Sequence, residues 1–298
     1  MIKPLKIGHT TLAWGSRTYV MGILNITPDS FSGDGLLASG DVHQAALDQA
    51  RRFVDAGADI LDIGGESTRP GAQVVGEAQE LARVIPVVQA VAAECQVLIS
   101  IDTYKASIAA AALHAGAHLV NDVWGLHADP DLAGVAARYH APVILMHNRS
   151  SWAHAEIKDR LGGRYVGIPY ADLLPDVCRE LLESAAIARQ AGIPDEHIIL
   201  DPGIGFGKSV EQNLELIDRL GEIRALGFPL LLGPSRKSFI GYTLDLPPDQ
   251  RLEGTAAAVA LGIARGADIV RVHDVPQMVR VARLSDAIVR RASSPQPR

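Results

Sequence analysis

The chain predicts a (β/α)8 TIM barrel: parallel strands closed into a ring, helices outside, and functional side chains gathered on one rim. Three observations point there. Short aliphatic runs recur along the sequence, and each stops at a polar or charged residue or at a glycine. Between them lie stretches with apolar residues at three- and four-residue spacing, the period of a helix packed by one face. A small echo comes back before several of the runs, as Asp55-Ala56-Gly57-Ala58-Asp59, His114-Ala115-Gly116-Ala117-His118 and Ala264-Arg265-Gly266-Ala267-Asp268. Continuous apolar runs suit strands buried on both faces, as in an all-parallel sheet.

In order, the runs are VMGILN ending at Asn25, DILDI around Asp62, VLISID ending at Asp102, and LVND carrying Asn121. Then come VILMH ending at His147, IILD ending at Asp201, PLLLG ending at Gly233, and DIVRVH carrying Arg271 and His273. Helices are expected over 41–56, 77–93, 105–115, 131–139, 170–191, 210–226, 251–265 and 275–291, with Asp41 and Asp131 as start signals. Gly57, Gly116 and Gly266, and likewise Gly192, read as left-handed residues that end a helix before the next strand. The stub LKIGHTTLAWGSR precedes the first unit and is expected to cap the barrel bottom as a short strand or hairpin. Eight strand–helix units favour a barrel over a doubly wound sheet. If the ring closes, Asn25 on the first strand lies near Arg271 and His273 on the last.

A barrel of this kind runs to roughly 250 residues as one domain. No linker or charge block divides the chain, so residues 1–298 are expected to form a single domain. A hydrophobic content of 48% with 21% charged residues describes a soluble globular chain with ample core. The net charge of -6 leaves no basic footprint for nucleic acid. Cys95 and Cys178, the only cysteines, fall in helix-like stretches and are expected to be unpaired packing residues. The start MIKPLKIGHT lacks the apolar core of a signal peptide. The most apolar stretches, 84–93 and 256–264, are about half a bilayer span. A cytoplasmic protein without membrane contact is expected.

Four strand-to-helix loops carry the chemistry. The first, from Asn25 through Asp29, Phe31 and Gly33-Asp34-Gly35, is long enough to serve as a mobile active-site lid. The second, Gly64-Gly65-Glu66-Ser67-Thr68-Arg69-Pro70-Gly71, joins paired glycines to hydroxyl and guanidinium donors suited to an anion. The third runs from Asp201 through Gly203, Gly205, Phe206 and Gly207 to Lys208-Ser209. It is neither a P-loop, because Pro202 holds the place of the first glycine, nor a dinucleotide fingerprint, because Lys208 holds that of the last. The fourth, Gly233-Pro234-Ser235-Arg236-Lys237-Ser238, sets two cations and two hydroxyls directly after a strand, where substrate contact is expected.

Asp102 and Asp201 end strongly apolar strands, where an unpaired charge would cost several kcal/mol. They need protein cations or a ligand with N–H donors, and a heterocycle offering adjacent N–H and NH2 groups would satisfy a carboxylate in bidentate fashion. Asn121 adds a donor and an acceptor. Asn25, Thr68, Arg69, Arg271 and His273 form a donor-rich cationic group suited to phosphate or pyrophosphate. With no HExxH motif, a metal-dependent hydrolase is poorly supported. An anion site beside a heterocycle site under a mobile loop describes a transferase or lyase acting on a phosphorylated ring compound.

Taken together, MGILNITPDSFS, DIGGESTRPGA, ISIDTYK, NDVWG, LMHN, LDPGIGFGK, GPSRKSFIG and RVHDV closely resemble the dihydropteroate synthases of the pterin-binding barrels, in order and across residues 20–275. The resemblance implies the joining of 4-aminobenzoate to 6-hydroxymethyl-7,8-dihydropterin pyrophosphate, a homodimer, and competition of sulfonamides with 4-aminobenzoate. It implies that Asp102, Asn121, Asp201 and Lys237 hold the pterin. Thr68, Arg69, Arg271 and His273 would contact the pyrophosphate, whose Mg2+ Asn25 would help coordinate. Asp29, Phe31, Pro70, Phe206 and Ser238 would border the aminobenzoate, with Asp29, Lys237, Arg271 and His273 closest to the chemistry. His147 matches no ligand role. Gly33-Asp34-Gly35, Tyr104 and Asn148-Arg149-Ser150 depart from the family's usual residues. Two other readings are a methyltetrahydrofolate–corrinoid methyltransferase on the same barrel and a non-catalytic pterin-binding paralogue; the TPDSFS lid and SRKS loop speak against the first, and the complete anion set against the second.

Overall fold

The chain enters through a hairpin, β1 (Leu5–Ile7) against β2 (Thr10–Leu12). In the computed structural model, which describes residues 2–26, 42–67, 75–158, 160–166 and 168–290, the strands β3 (Tyr19–Asn25), β4 (Ile60–Gly64), β5 (Leu98–Asp102), β6 (Leu119–Asp122) and β7 (Val143–Met146) follow. A second hairpin, β8 (Ala155–Lys158) with β9 (Gly162–Tyr165), precedes β10 (Ile198–Asp201), β11 (Leu231–Leu232) and β12 (Ile269–Val272). Eight of these strands form one parallel sheet in the order β10-β7-β6-β5-β4-β3-β12-β11. Leu200 bridges Leu230 in parallel, and the Leu200 N–H donates to the Pro229 carbonyl at 3.0 Å, so the ring closes between β10 and β11. The barrel expected from the apolar runs is the fold observed, and β12 lies beside β3 as closure requires.

Helices α1 (Val42–Asp55), α2 (Glu77–Glu94), α3 (Ala106–Ala115), α4 (Leu132–Arg138), α5 (Leu173–Gln190), α6 (Val210–Asp218), α7 (Leu220–Arg224), α8 (Ser238–Leu244), α9 (Leu252–Ala264) and α10 (Val275–Val289) surround the ring. Gly57, Gly116, Gly192 and Gly266 all adopt positive φ, as expected. In each case the following N–H reaches back five residues: Ala58 to Phe53, Ala117 to Ala112, Ile193 to Ala188 and Ala267 to Gly262, at 2.9–3.0 Å. That bond satisfies a carbonyl the helix end would otherwise orphan. His140 takes the left-handed place after α4, with Ala141 bonded to Ala136 in the same way.

Three local expectations need correction. The 210–226 stretch breaks at Arg219 into α6 and α7. Asp131 caps nothing with its side chain; Asp129 instead accepts the Asp131 N–H at 3.0 Å and the Ala106 N–H at 2.8 Å. The β8–β9 hairpin and α8 were not foreseen at all, being short and without an apolar period. The Asp41 start signal lies outside the described residues.

Two cores result from strand alternation. Outward residues such as Val20, Leu61, Ile99 and Val120 pack under the helices. Inward residues Met21, Ile60, Leu98, Leu119, Ile144, Ile199, Leu231 and Ile269 meet in the barrel with Leu5, Ile7 and Leu12 from the first hairpin. The hairpin therefore plugs the barrel bottom, each buried aliphatic contributing about 1.5–3 kcal/mol. Tyr19 ties it down, accepting the Ala13 N–H at 2.6 Å with the Trp14 ring edge-on against its own. Among the described residues, no helix is long and apolar enough to cross a membrane.

Candidate active site

Two residues beyond the apolar plug, on the same faces of their strands, stand Asp62 after Ile60, Ser100 after Leu98, Asn121 after Leu119, Asp201 after Ile199 and Arg271 after Ile269. A polar layer thus rests directly on an apolar one. Water is largely excluded from it: Asp62 is 0% exposed, Asn121 3% and Asp201 6%. In such a place charges must find partners.

Most do so through one guanidinium. Arg271 Nε donates to Asp62 Oδ2 at 2.5 Å, and Arg271 Nη2 to Asp102 Oδ2 at 2.6 Å. The same Asp62 oxygen accepts from Asn121 Nδ2 at 3.0 Å, while its Oδ1 is buried without a partner among the described residues. Side chains from β4, β5, β6 and β12 are thereby joined. Burial pushes Asp102 up to about 7, against the pull of Arg271. Burial also works against the Arg271 charge, but the attraction of Asp62 and Asp102 outweighs it and raises that group. The sequence pattern had divided the rim into a carboxylate–amide half and a cationic half. Arg271 does not respect that division, because it stands among the carboxylates.

Across the ring, Asp201 Oδ1 accepts the Gly203 N–H at 2.7 Å. Burial raises the Asp201 carboxyl, with Lys237 opposing. Lys237 is half-buried as a residue, but its ammonium turns inward, donating to the Ile204 carbonyl and lying 4.5 Å from the centre of the Phe206 ring. Burial lowers it to about 8, with Asp201 pulling the other way. The next residue, Ser238, opens α8. Arg236, the second cation of this loop, pairs with Asp274 at 2.5 Å. His273, two residues beyond Arg271, has Nδ1 3.0 Å from the Ser235 hydroxyl. Asn25 ends β3 beside Gly64.

The second loop is anchored from below. Lys105 Nζ bonds Glu66 and Glu80 at 2.6 Å each and the Val75 carbonyl at 2.6 Å. It therefore holds both stems, residues 66 and 75, of the segment carrying Thr68, Arg69 and Pro70. The Tyr104 hydroxyl adds a 3.2 Å bond to Glu66. Thr68, Arg69 and Pro70, like Asp29 and Phe31 on the first loop, lie outside the described residues.

His147, a polar strand end with no expected ligand role, bonds Glu180 and Lys208. Asp62, Lys105 and Lys208 are the residues that sequence reasoning passed over. Asp62 left a trace as a carboxylate inside DILDI with the same parity as Ile60, and Lys208 as a member of the third loop, but neither carried a role. Among the described residues, no group of three or more His, Cys, Asp or Glu side chains is arranged to hold a metal ion.

Residues 21–273 match the family described as pterin binding enzyme. A dihydropteroate synthase of Bacillus subtilis is 49% identical over 97% of this chain and 95% of its own. A crystal structure of a dihydropteroate synthase from Clostridium difficile in the presence of pteroic acid superposes with a TM-score of 0.84 at 48% identity, covering 93% of this chain and 98% of that one. A Xanthomonas albilineans dihydropteroate synthase with 4-aminobenzoic acid gives 0.86 at 38% identity, over 99% and 100% of the two chains.

Proposed function

This chain belongs to the pterin-binding enzyme family, and from that premise we propose how its rim works. The activity is that of a dihydropteroate synthase, a transferase. The bond from the pterin methylene carbon to the pyrophosphate oxygen breaks, the amine of 4-aminobenzoate bonds to that carbon and gives up a proton, and 7,8-dihydropteroate and pyrophosphate leave.

The observation that carries the residue assignment is the polar layer itself. Asp102, Asn121, Asp201 and Lys237 converge above the apolar plug, and carboxylates raised by burial gain most from a ligand rich in N–H donors. The pterin is held there. Its methylene and pyrophosphate extend toward Arg271, His273, Thr68 and Arg69, where the two guanidinium charges favour the departing anion and the other two side chains offer hydrogen bonds. Arg271, joined to Asp102, spans both parts of the substrate. Asp29, Phe31, Pro70, Phe206 and Ser238 border the aminobenzoate, with Asp29 facing the cation that forms as pyrophosphate leaves. The protein need supply no covalent intermediate; it orients the two reactants and excludes water.

A magnesium ion fits as a companion of the pyrophosphate. Asn25 offers a hard amide oxygen at the end of β3, and Mg2+ is commonly held by one or two protein oxygens together with substrate phosphates. When bound, it supplies further charge neutralisation to the leaving group.

The deciding assay follows pyrophosphate release from the pterin pyrophosphate and Mg2+ with and without 4-aminobenzoate. Release should require the arylamine and be inhibited competitively by sulfonamides; release indifferent to 4-aminobenzoate would refute the activity. A homodimer is also proposed, supported by Leu261 on α9 and by Leu284 and Ile288 on the adjacent α10, all more than half exposed. Light scattering of the Leu284→Glu, Ile288→Glu variant should give a monomer where the parent gives a dimer; an unchanged mass would remove that face from consideration.

A further inference from the structure

Behind the Asp201 loop lies a buried polar chain that the reaction does not use. Lys208 is 2% exposed and burial lowers its ammonium well below the usual lysine value, but an acceptor stands opposite each of its three protons: the Gly203 carbonyl at 3.0 Å, the Phe206 carbonyl at 2.9 Å and His147 Nδ1 at 2.9 Å. For Nδ1 to accept, the His147 proton must sit on Nε2, which lies 3.0 Å from Glu180 Oε2. Burial, with Lys208 beside it, pushes His147 down to about 3, in keeping with a neutral ring. Glu180 is in turn held by Arg149, which also reaches Asp176 at 3.1 Å. The order is thus Arg149, Glu180, His147, Lys208 and then two carbonyls of the ligand loop.

The loop is shaped to meet this chain. Gly203, Gly205 and Gly207 all have positive φ, and a Cβ at Gly203 would run into the His147 carbonyl. Backbone therefore lies directly on backbone, and the ammonium fastens the carbonyls that the sharp turns bring together. Phe206 is itself one of the fastened points, with Lys237 over its ring.

We propose that Lys208 is a positioning residue for the aminobenzoate side of the site: by gripping the Gly203 and Phe206 carbonyls it sets where the Phe206 ring stands. This rests on the reading of Phe206 as an aminobenzoate contact. His147 and Glu180 act through Lys208 by fixing the histidine tautomer that accepts its proton. Replacement of Lys208 by Met keeps the volume and removes the grip, and exchange of a buried charge for an apolar isostere is often tolerated by the fold.

The test is steady-state kinetics with each substrate varied, on the parent, Lys208→Met, Phe206→Leu and the double variant. Lys208→Met should raise the aminobenzoate KM about tenfold with the pterin pyrophosphate KM unchanged and kcat nearly so. The double variant should be no worse than Phe206→Leu alone, because both changes act on one ring. Equal damage to both KM values and kcat would make Lys208 merely structural and overturn the proposal, as would penalties that multiply in the double variant. A raised KM in Phe206→Leu with none in Lys208→Met sinks the Lys208 role alone. No effect of Phe206→Leu sinks the pocket assignment and the proposal with it. Should Lys208→Met fail to fold, Glu180→Gln decides: a smaller rise in the same KM supports the chain, and an unchanged KM overturns it.

Discussion

Asp62 and Arg271 lie 209 residues apart in the sequence and 2.5 Å apart across the barrel mouth. One Asp62 oxygen serves both Arg271 and Asn121, so a residue with no expected substrate contact orients two that have one. Its removal leaves a buried guanidinium short of a partner, a loss of about 3–5 kcal/mol where such pairs are broken. Asp62→Ala is therefore expected to lower kcat/KM for the pterin pyrophosphate roughly 100-fold or more. Asp62→Asn, which keeps an acceptor, should fall between it and the parent. Parent-like kcat/KM in Asp62→Ala would mean Arg271 is held without it.

Asp201 tests the pterin assignment. Loss of a charge-assisted bond of about 1.5–3 kcal/mol predicts at least roughly tenfold weaker pterin binding by calorimetry in Asp201→Ala. Retained affinity would leave the carboxylate the single task of holding the Gly203 N–H.

Lys237 predicts a pH dependence. Its folded pKa, lowered to about 8, means that the ammonium is present below pH 8 and lost above it. The kcat/KM profile should fall on the alkaline side with a midpoint near 8, and Lys237→Arg should shift that limb upward. For the free protein the sign differs: between about 8 and the ordinary 10.5 the unfolded chain holds more of this proton, so this group's contribution to stability grows as pH rises. An alkaline limb unmoved in Lys237→Arg would assign it to another group.

These expectations show where the sequence is transparent. The eight strands were legible because burial on both faces leaves unbroken apolar runs, and the helix ends because a left-handed turn selects glycine at 57, 116, 192 and 266. Asp102, Asn121, Asp201 and Arg271 were legible as polar residues at or near the ends of such runs. What stayed hidden depends on pairing through space. Nothing near Lys208 in sequence announces a histidine 61 residues away, and nothing near Arg271 announces the two carboxylates that share it. The β8–β9 hairpin, exposed along most of β8 and half-buried along β9, has too little apolar pattern to declare a strand.

Lys105 makes a prediction about stability. Glu80 is 1% exposed and relies on the Lys105 ammonium and the Thr103 hydroxyl. Lys105→Met strands that carboxylate and releases both stems of the segment carrying Arg69. Urea denaturation should show a loss of about 3–5 kcal/mol, with a Tm lower by roughly 10 °C. A change under 1 kcal/mol would place Lys105 among the weak surface pairs.

The ring is not equally laced all the way round. β11 is two residues long and meets β10 through a single bridge at Leu200 and Leu230, whereas β3 and β4 run together for five residues. Asp201 follows directly after one side of that seam and Lys237 stands a few residues after the other. A pterin held by both, as proposed, would stitch the weakest join, so substrate would do for the barrel what a longer strand would have done. Amide protons of β10 and β11 should thus exchange faster than those of β3 and β4 in the free protein, and slow when the ligand is bound.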